Sequence, residues 1–169
     1  MSVPSDRVAI IGVGVSGLVD ALVLAGYAHL EAIDVSQAAV DRLNAHLRTV
    51  GLVASCRCAD VLTVQFDTPI DLWHDRAVFH FLTDPADQAA YAARAAAAVR
   101  PGGHLLVAAF AIGGPEQCSG LDVQQHDAAS LTAVFGDSFE LVEWFHHDHL
   151  TPWGSTQRFI HTVSRRRHS

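Results

Sequence analysis

Val8-Ala9-Ile10-Ile11-Gly12-Val13-Gly14-Val15-Ser16-Gly17 is the stretch whose reading decides the fold. A short β-branched run ends at Gly12, and Ser16 to Leu24 then carries a helical pattern that stops at Gly26. Strand, G-x-G-x-x-G turn and helix in this order let a ligand approach the backbone closely, because glycine brings no Cβ. The helix start adds unpaired N–H donors and the positive end of a dipole.

Outward from this turn the chain keeps alternating. His29–Val35 reads as a second strand ending in EAIDV, and Ser36 caps a helix whose Ala39, Val40, Leu43 and Leu47 recur until Gly51. Leu52–Cys58 and Ile70–His74 read as the third and fourth strands. A helix from Asp84 to Val99 carries Pro85 in its first turn, Arg100-Pro101-Gly102-Gly103 stops it, and His104–Phe110 is the fifth strand. Ser138–His146 and Gln157–Val163 are joined by a link too short for a helical crossover, so they form an antiparallel hairpin. The pattern predicts an α/β, Rossmann-like sheet of seven mostly parallel strands, with helices on both faces and that hairpin at its C-terminal end.

Composition bounds the function. The 169 residues are 50% hydrophobic and 17% charged, which suits a single domain spanning 1–169. Eighteen acidic against eleven basic residues give a net charge of −7, a poor match for nucleic acid or an anionic membrane. Three cysteines make no secreted disulfide framework, and no apolar run reaches the ~18 residues a membrane span needs. A soluble, cytoplasmic protein is the expectation. The closing RRRHS reads as a solvated tail.

The glycine turn alone fits a dinucleotide fold, an S-adenosylmethionine (SAM) fold or a chance turn. Asp34, seventeen residues past Gly17 at a strand end, can accept both ribose hydroxyls of NAD or SAM. Asp60 ends the third strand, where a carboxylate can accept from an adenine amino group. With the VRPGGHLL turn, the fourth strand DLWHD and the terminal hairpin, the sequence resembles class I SAM-dependent methyltransferases from Arg7 to about Arg165. DLWHDRAVFHFL, GPEQCSGL and HLTPWG are most similar to the small-molecule branch with thiopurine and tellurite-resistance-type enzymes. The resemblance implies SAM held by Gly12, Val13, Gly14, Gly17, Asp34, Val35, Asp60, Val61 and His74.

Methyl transfer from a sulfonium requires alignment of a nucleophile, exclusion of water and, for some acceptors, a base. The resemblance carries Trp73 to Phe81 past the sulfonium, so Asp75 and His80 are the candidate catalytic residues, with His80 as the base. Trp73, Phe79, Ser119, His149 and Trp153 are candidate walls for a small-molecule acceptor. His146-His147-Asp148-His149 invites a metal reading, but adjacent strand residues point to opposite faces, so no metal is expected. Cys56, Cys58 and Cys118 read as packed thiols.

Two departures from the family pattern stand out. Ile10 occupies a position that is usually acidic, which makes the turn locally similar to an NAD or FAD fingerprint and keeps a plain nucleotide-binding module in play. Only about six residues precede the first strand, where family members carry a longer cover. The expectation is an open site covered by a second subunit in a homo-oligomer, a cleft open to the acceptor, or a chain that binds SAM without turnover.

Overall fold

Arg7–Ile11 forms β1, and its apolar residues are buried because a central parallel strand is covered on both faces. The computed structural model describes residues 2–14, 17–151 and 154–168. Leu18–Leu24 is helix α1, His29–Asp34 is β2, Gln37–Val50 is α2 and Ser55–Cys58 is β3. Ser36 caps α2 by accepting from the Ala39 N–H at 3.3 Å, and Gly51 ends it in the left-handed region. Ile70–Arg76 is β4, Pro85–Ala98 is α3 and Val99–Phe110 is β5. Asp84 caps α3 on the Ala86 N–H, with Pro85 in the first turn as the sequence requires.

The remaining elements are a short pair, β6 (Gln117–Cys118) and β7 (Leu121–Asp122), then α4 (Ala128–Phe135), β8 (Phe139–Leu150) and β9 (Thr156–Arg166). The main sheet has seven strands in the order β3-β2-β1-β4-β5-β9-β8. All pairings among β1 to β5 are parallel, while β9 is antiparallel to both β5 and β8. One strand therefore runs against the rest, and the expected terminal hairpin is present.

The sheet separates two apolar layers. Val8, Ile10, Leu30, Leu43 and Leu47 pack under α1 and α2, whereas Trp73, Tyr91, Ala95, Leu131 and Phe135 pack under α3 and α4. Three details differ from the sequence expectation. β5 begins at Val99, because the Pro-Gly-Gly segment continues alongside β4 with a register shift instead of leaving the sheet. Helix α4, unanticipated, starts at a capping box in which Asp127 and Ser130 satisfy each other's backbone N–H groups. The pair β6–β7 folds over one end of the sheet, where Cys118 meets Ala108, Phe110 and Phe159.

A polar chain runs through the α3-side core. The Trp73 indole N–H donates to Tyr91 Oη at 2.8 Å, and that hydroxyl donates to Asp75 Oδ2 at 2.5 Å. Tyr91→Phe leaves the indole N–H and one carboxylate lone pair unpaired in a dry environment. It should cost about 1–3 kcal/mol in urea denaturation. A loss below about 0.5 kcal/mol would mean that the hydroxyl is dispensable.

Candidate active site

The C-terminal ends of β1, β2, β3, β4 and β5 open onto one crevice, where an open α/β sheet takes its ligands. Gly12 follows β1 with φ +73°, and a Cβ built on it would sit 2.2 Å from Val78 Cγ2. Glycine is therefore needed there twice, for its backbone conformation and for close approach of the β4 exit. Gly14, at φ +48°, and Gly17 have nothing within 4 Å of such a Cβ, so their outer side is open. The Gly14 N–H donates to Asp34 Oδ2 at 3.3 Å, and Asp34 Oδ1 accepts from the Ser36 N–H at 2.9 Å. Asp34 thus borders the glycine turn from the end of β2. Val35 beside it is 76% exposed. Asp60 is exposed with Oδ1 turned onto the Leu62 N–H, while Val13 and Val61 are buried. Val15 and Ser16 lie outside the described residues.

Two adjoining cavities occupy the crevice and the sheet face beyond it. The inner one, of about 410 Å³, runs from Gly12, Val13 and Gly14 past His74, Arg76 and Phe110 to Cys118 and Gln157. The outer one, of about 320 Å³, lies over β4, β9 and β8 and is lined by His74, Arg76, His147, His149, Phe159 and His161. Leu18, His74, Arg76, His149 and Phe159 border both. No Asp or Glu lines either cavity among the described residues.

Alternation along β4 decides which candidates reach this space. His74 and Arg76 point to the cavity side, whereas Trp73 and Asp75 point into the α3-side core. The Asp75 carboxylate, 1% exposed, accepts from Tyr91 Oη, from the Val78 N–H at 2.9 Å and from the Phe79 N–H at 3.1 Å. Burial raises its pKa to about 7 against the pull of these three donors. Trp73 and Phe79 are likewise fully buried, and Phe79 packs on Tyr91, Phe135 and His126. Neither wall residue is brought to the cavities, because the pleat turns Trp73 away and a 3₁₀ turn over Phe79–Phe81 carries Phe79 inward.

His80 is fully buried behind Phe110, with ring centroids 4.5 Å apart. Its Nδ1 accepts from the Phe110 N–H at 3.3 Å, and burial, helped by neighbouring His126, lowers its pKa to about 4. It supports the cavity wall from one layer back. Asp75 and His80 are thus brought near the crevice but not into it, contrary to the expectation that both stand beside the reacting methyl group. Ser119 sits exposed in the turn between β6 and β7 at φ +52°, next to Cys118 on the wall. His149 lines both cavities, and Trp153 lies outside the described residues.

Arg76, His161, Phe110 and Phe159 are cavity residues that the sequence reading did not single out, and His147 entered it only through the dismissed metal reading. The signal was present in period-two alternation. His147 opposes Phe159 and Phe145 opposes His161 across the β8–β9 pair, placing all four on one face. Burial lowers the pKa of His161 to about 4, assisted by His147, Arg76 and His74, and burial also lowers that of His74. No group of three His, Cys, Asp or Glu is placed to hold a metal ion among the described residues.

A family model described as a methyltransferase domain matches residues 8–103, more than half of the chain. The chain belongs to this methyltransferase family. Solved structures are similar over nearly the whole chain. A SAM-dependent methyltransferase from Methanosarcina mazei shares 16% identity, over 98% of this chain and 94% of that one, with a TM-score of 0.79. The N-methyltransferase NodS from Bradyrhizobium japonicum shares 18% over 97% and 88%, with a TM-score of 0.70. TehB from Haemophilus influenzae shares 16% over 96% of this chain but 58% of that one, with a TM-score of 0.75. No curated protein matches the chain in sequence. At such identities the likeness establishes the fold. Together with the family match it bears out the resemblance to class I SAM-dependent methyltransferases.

Two outcomes follow from this geometry. Gly12→Ala forces an L-residue to positive φ and drives its methyl into Val78, so it should destabilise the fold and abolish ligand binding at the turn. Wild-type melting and binding in that variant would show that the β4 exit does not press on the turn. Between pH 6.5 and 4 the unfolded chain protonates histidines that the native state holds neutral, so His80 and His161 make stability fall as pH falls. Asp75 acts oppositely, since from 3.8 to about 7 the native state holds its proton more tightly. Urea titrations of His80→Gln should show a shallower acid-side loss than wild type; an unchanged slope would place a charged imidazole in the native core.

Proposed function

We propose that this chain is a SAM-dependent methyltransferase that transfers a methyl group to a small-molecule acceptor by in-line displacement. The observation that carries the reading is the pair of adjoining cavities, one against the glycine turn beside Asp34 and the other beyond it on the sheet face. The residues present suit the cofactor. Open space beside Gly14 and Gly17 admits a ligand against the backbone, and Asp34 offers carboxylate oxygens for a ribose. The reading assigns Asp60, Val35 and Val61 to the adenine, and His74 contributes a buried Nδ1 with no partner among the described residues.

SAM supplies an activated methyl group on a sulfonium. The chain's own work is to bind, orient and exclude water. Gly12, Val13, Gly14, Gly17 and Asp34 fix the donor, while Phe110 and Phe159 present apolar surface along the transfer path. Asp75 acts as a positioning residue: through the Val78 and Phe79 N–H groups it holds the β4 exit against Gly12. His80 supports Phe110 in the same sense. The reading assigns acceptor contact to His149, which lines both cavities, and to Ser119 beside the wall residue Cys118.

The finer expectations fit this reading. The three cysteines are free thiols, which suits the reducing cytoplasm, and no helix among the described residues is long and apolar enough to cross a membrane. Trp144, Phe145 and Leu150 of edge strand β8 are exposed, leaving a surface for a second subunit beside the open site.

Calorimetry with SAM, S-adenosylhomocysteine, NAD and FAD tests the proposal. Binding is expected for the first two alone, and Asp34→Ala should weaken SAM by about 1–3 kcal/mol. Binding of NAD or FAD without SAM would overturn the reading, and an unchanged SAM affinity in Asp34→Ala would place the ribose elsewhere.

A further inference from the structure

The outer cavity has a chemical character that the methyl-transfer reading does not require. Its volume of about 320 Å³ lies at the small end of the ~300–1,000 Å³ range for ligand pockets. Arg76 at the end of β4 and four imidazoles, His74, His147, His149 and His161, converge on it from three strands. Every ionisable lining residue is therefore a cation or an N–H donor. The apolar remainder is Leu18 and the Phe159 ring.

Arg76 is exposed at the mouth of this cavity and has no carboxylate within ion-pair distance among the described residues. Its charge also helps to keep His161 and His74 neutral. A guanidinium that faces a concave site without a counter-ion is a ready partner for a planar anion, since charge-assisted bonds are roughly twice as strong as neutral ones. A cationic group placed in the same cavity would meet Arg76 with no acid to offset it.

We propose that the outer cavity selects acceptors that carry a negative charge. The anionic group is held by Arg76 and imidazole N–H groups, and a flat apolar body lies on Phe159. This assignment rests on the reading of the inner cavity as the methyl-donor site, and it narrows the acceptor class to small planar organic anions.

The test uses the full chain, with and without saturating S-adenosylhomocysteine, titrated with benzoate and with its neutral counterpart benzamide. Benzoate should bind saturably and benzamide at least tenfold more weakly. Arg76→Gln should weaken benzoate at least tenfold. The double variant His147→Gln/His161→Gln should weaken benzoate several-fold while S-adenosylhomocysteine affinity stays within twofold. Equal binding of the two probes, or an Arg76→Gln variant with undiminished benzoate affinity, would overturn the proposal. So would loss of S-adenosylhomocysteine binding in Arg76→Gln with benzoate unaffected, because Arg76 would then serve the donor. If wild type binds benzoate through Arg76 but does not bind S-adenosylhomocysteine, the anion site stands and the donor reading falls.

Discussion

The carboxylate of Asp75 is the interaction on which the rest of this site depends. It is buried behind the sheet, yet it fixes the front, because its two backbone partners, Val78 and Phe79, form the chain's turn out of β4. That turn places Ala77 in the left-handed region at φ 66° and presses Val78 against Gly12. An ordinary surface aspartate could not do this, since water would compete for the same N–H groups. Burial makes the group costly to charge, and three donors recover that cost, so the network is stable only when complete. A core network thus dictates how closely the glycine turn and the β4 exit meet.

The electrostatic division of the crevice follows from the same strand. Acids border the crevice at the ends of β2 and β3, in Asp34 and Asp60, while β4, β8 and β9 contribute Arg76 and imidazoles. One end of the crevice is set up to accept hydrogen bonds and the other to donate them. Ile10, an apolar residue on the wall of the inner cavity, sharpens this division by leaving the middle apolar.

Much of this was legible in the sequence. The β-branched runs, the Ser36 and Asp84 caps and the glycine stops predicted the sheet and three of its helices, because each signal is local. Helix α4 escaped notice because its stretch, Ala128–Phe135, is short, although Asp127 and Ser130 carried a capping signature. The site was harder to read. Residue type drew attention to Asp75 and His80, but function depends on which face of a strand a side chain leaves from. His74 and Arg76 lie on one face of β4 and Trp73 and Asp75 on the other, a parity that DLWHDR contains once its strand is located. What no local pattern contains is the approach of His147 and His161 to β4, which depends on β9 inserting between β5 and β8.

That insertion has a further meaning for how the molecule is made. Strand β8 leaves the ribosome before β9, the only strand in the sheet it can pair with. Until Thr156–Arg166 is synthesised, a twelve-residue strand rich in aromatic side chains has no place to dock, and β5 has a bare edge. Completion of the sheet therefore waits on β9, which joins β5 and β8 in one step of strand addition. A chain lacking β9 would leave the β5 edge bare and β8 without a partner, exposing backbone groups that pair readily with other chains.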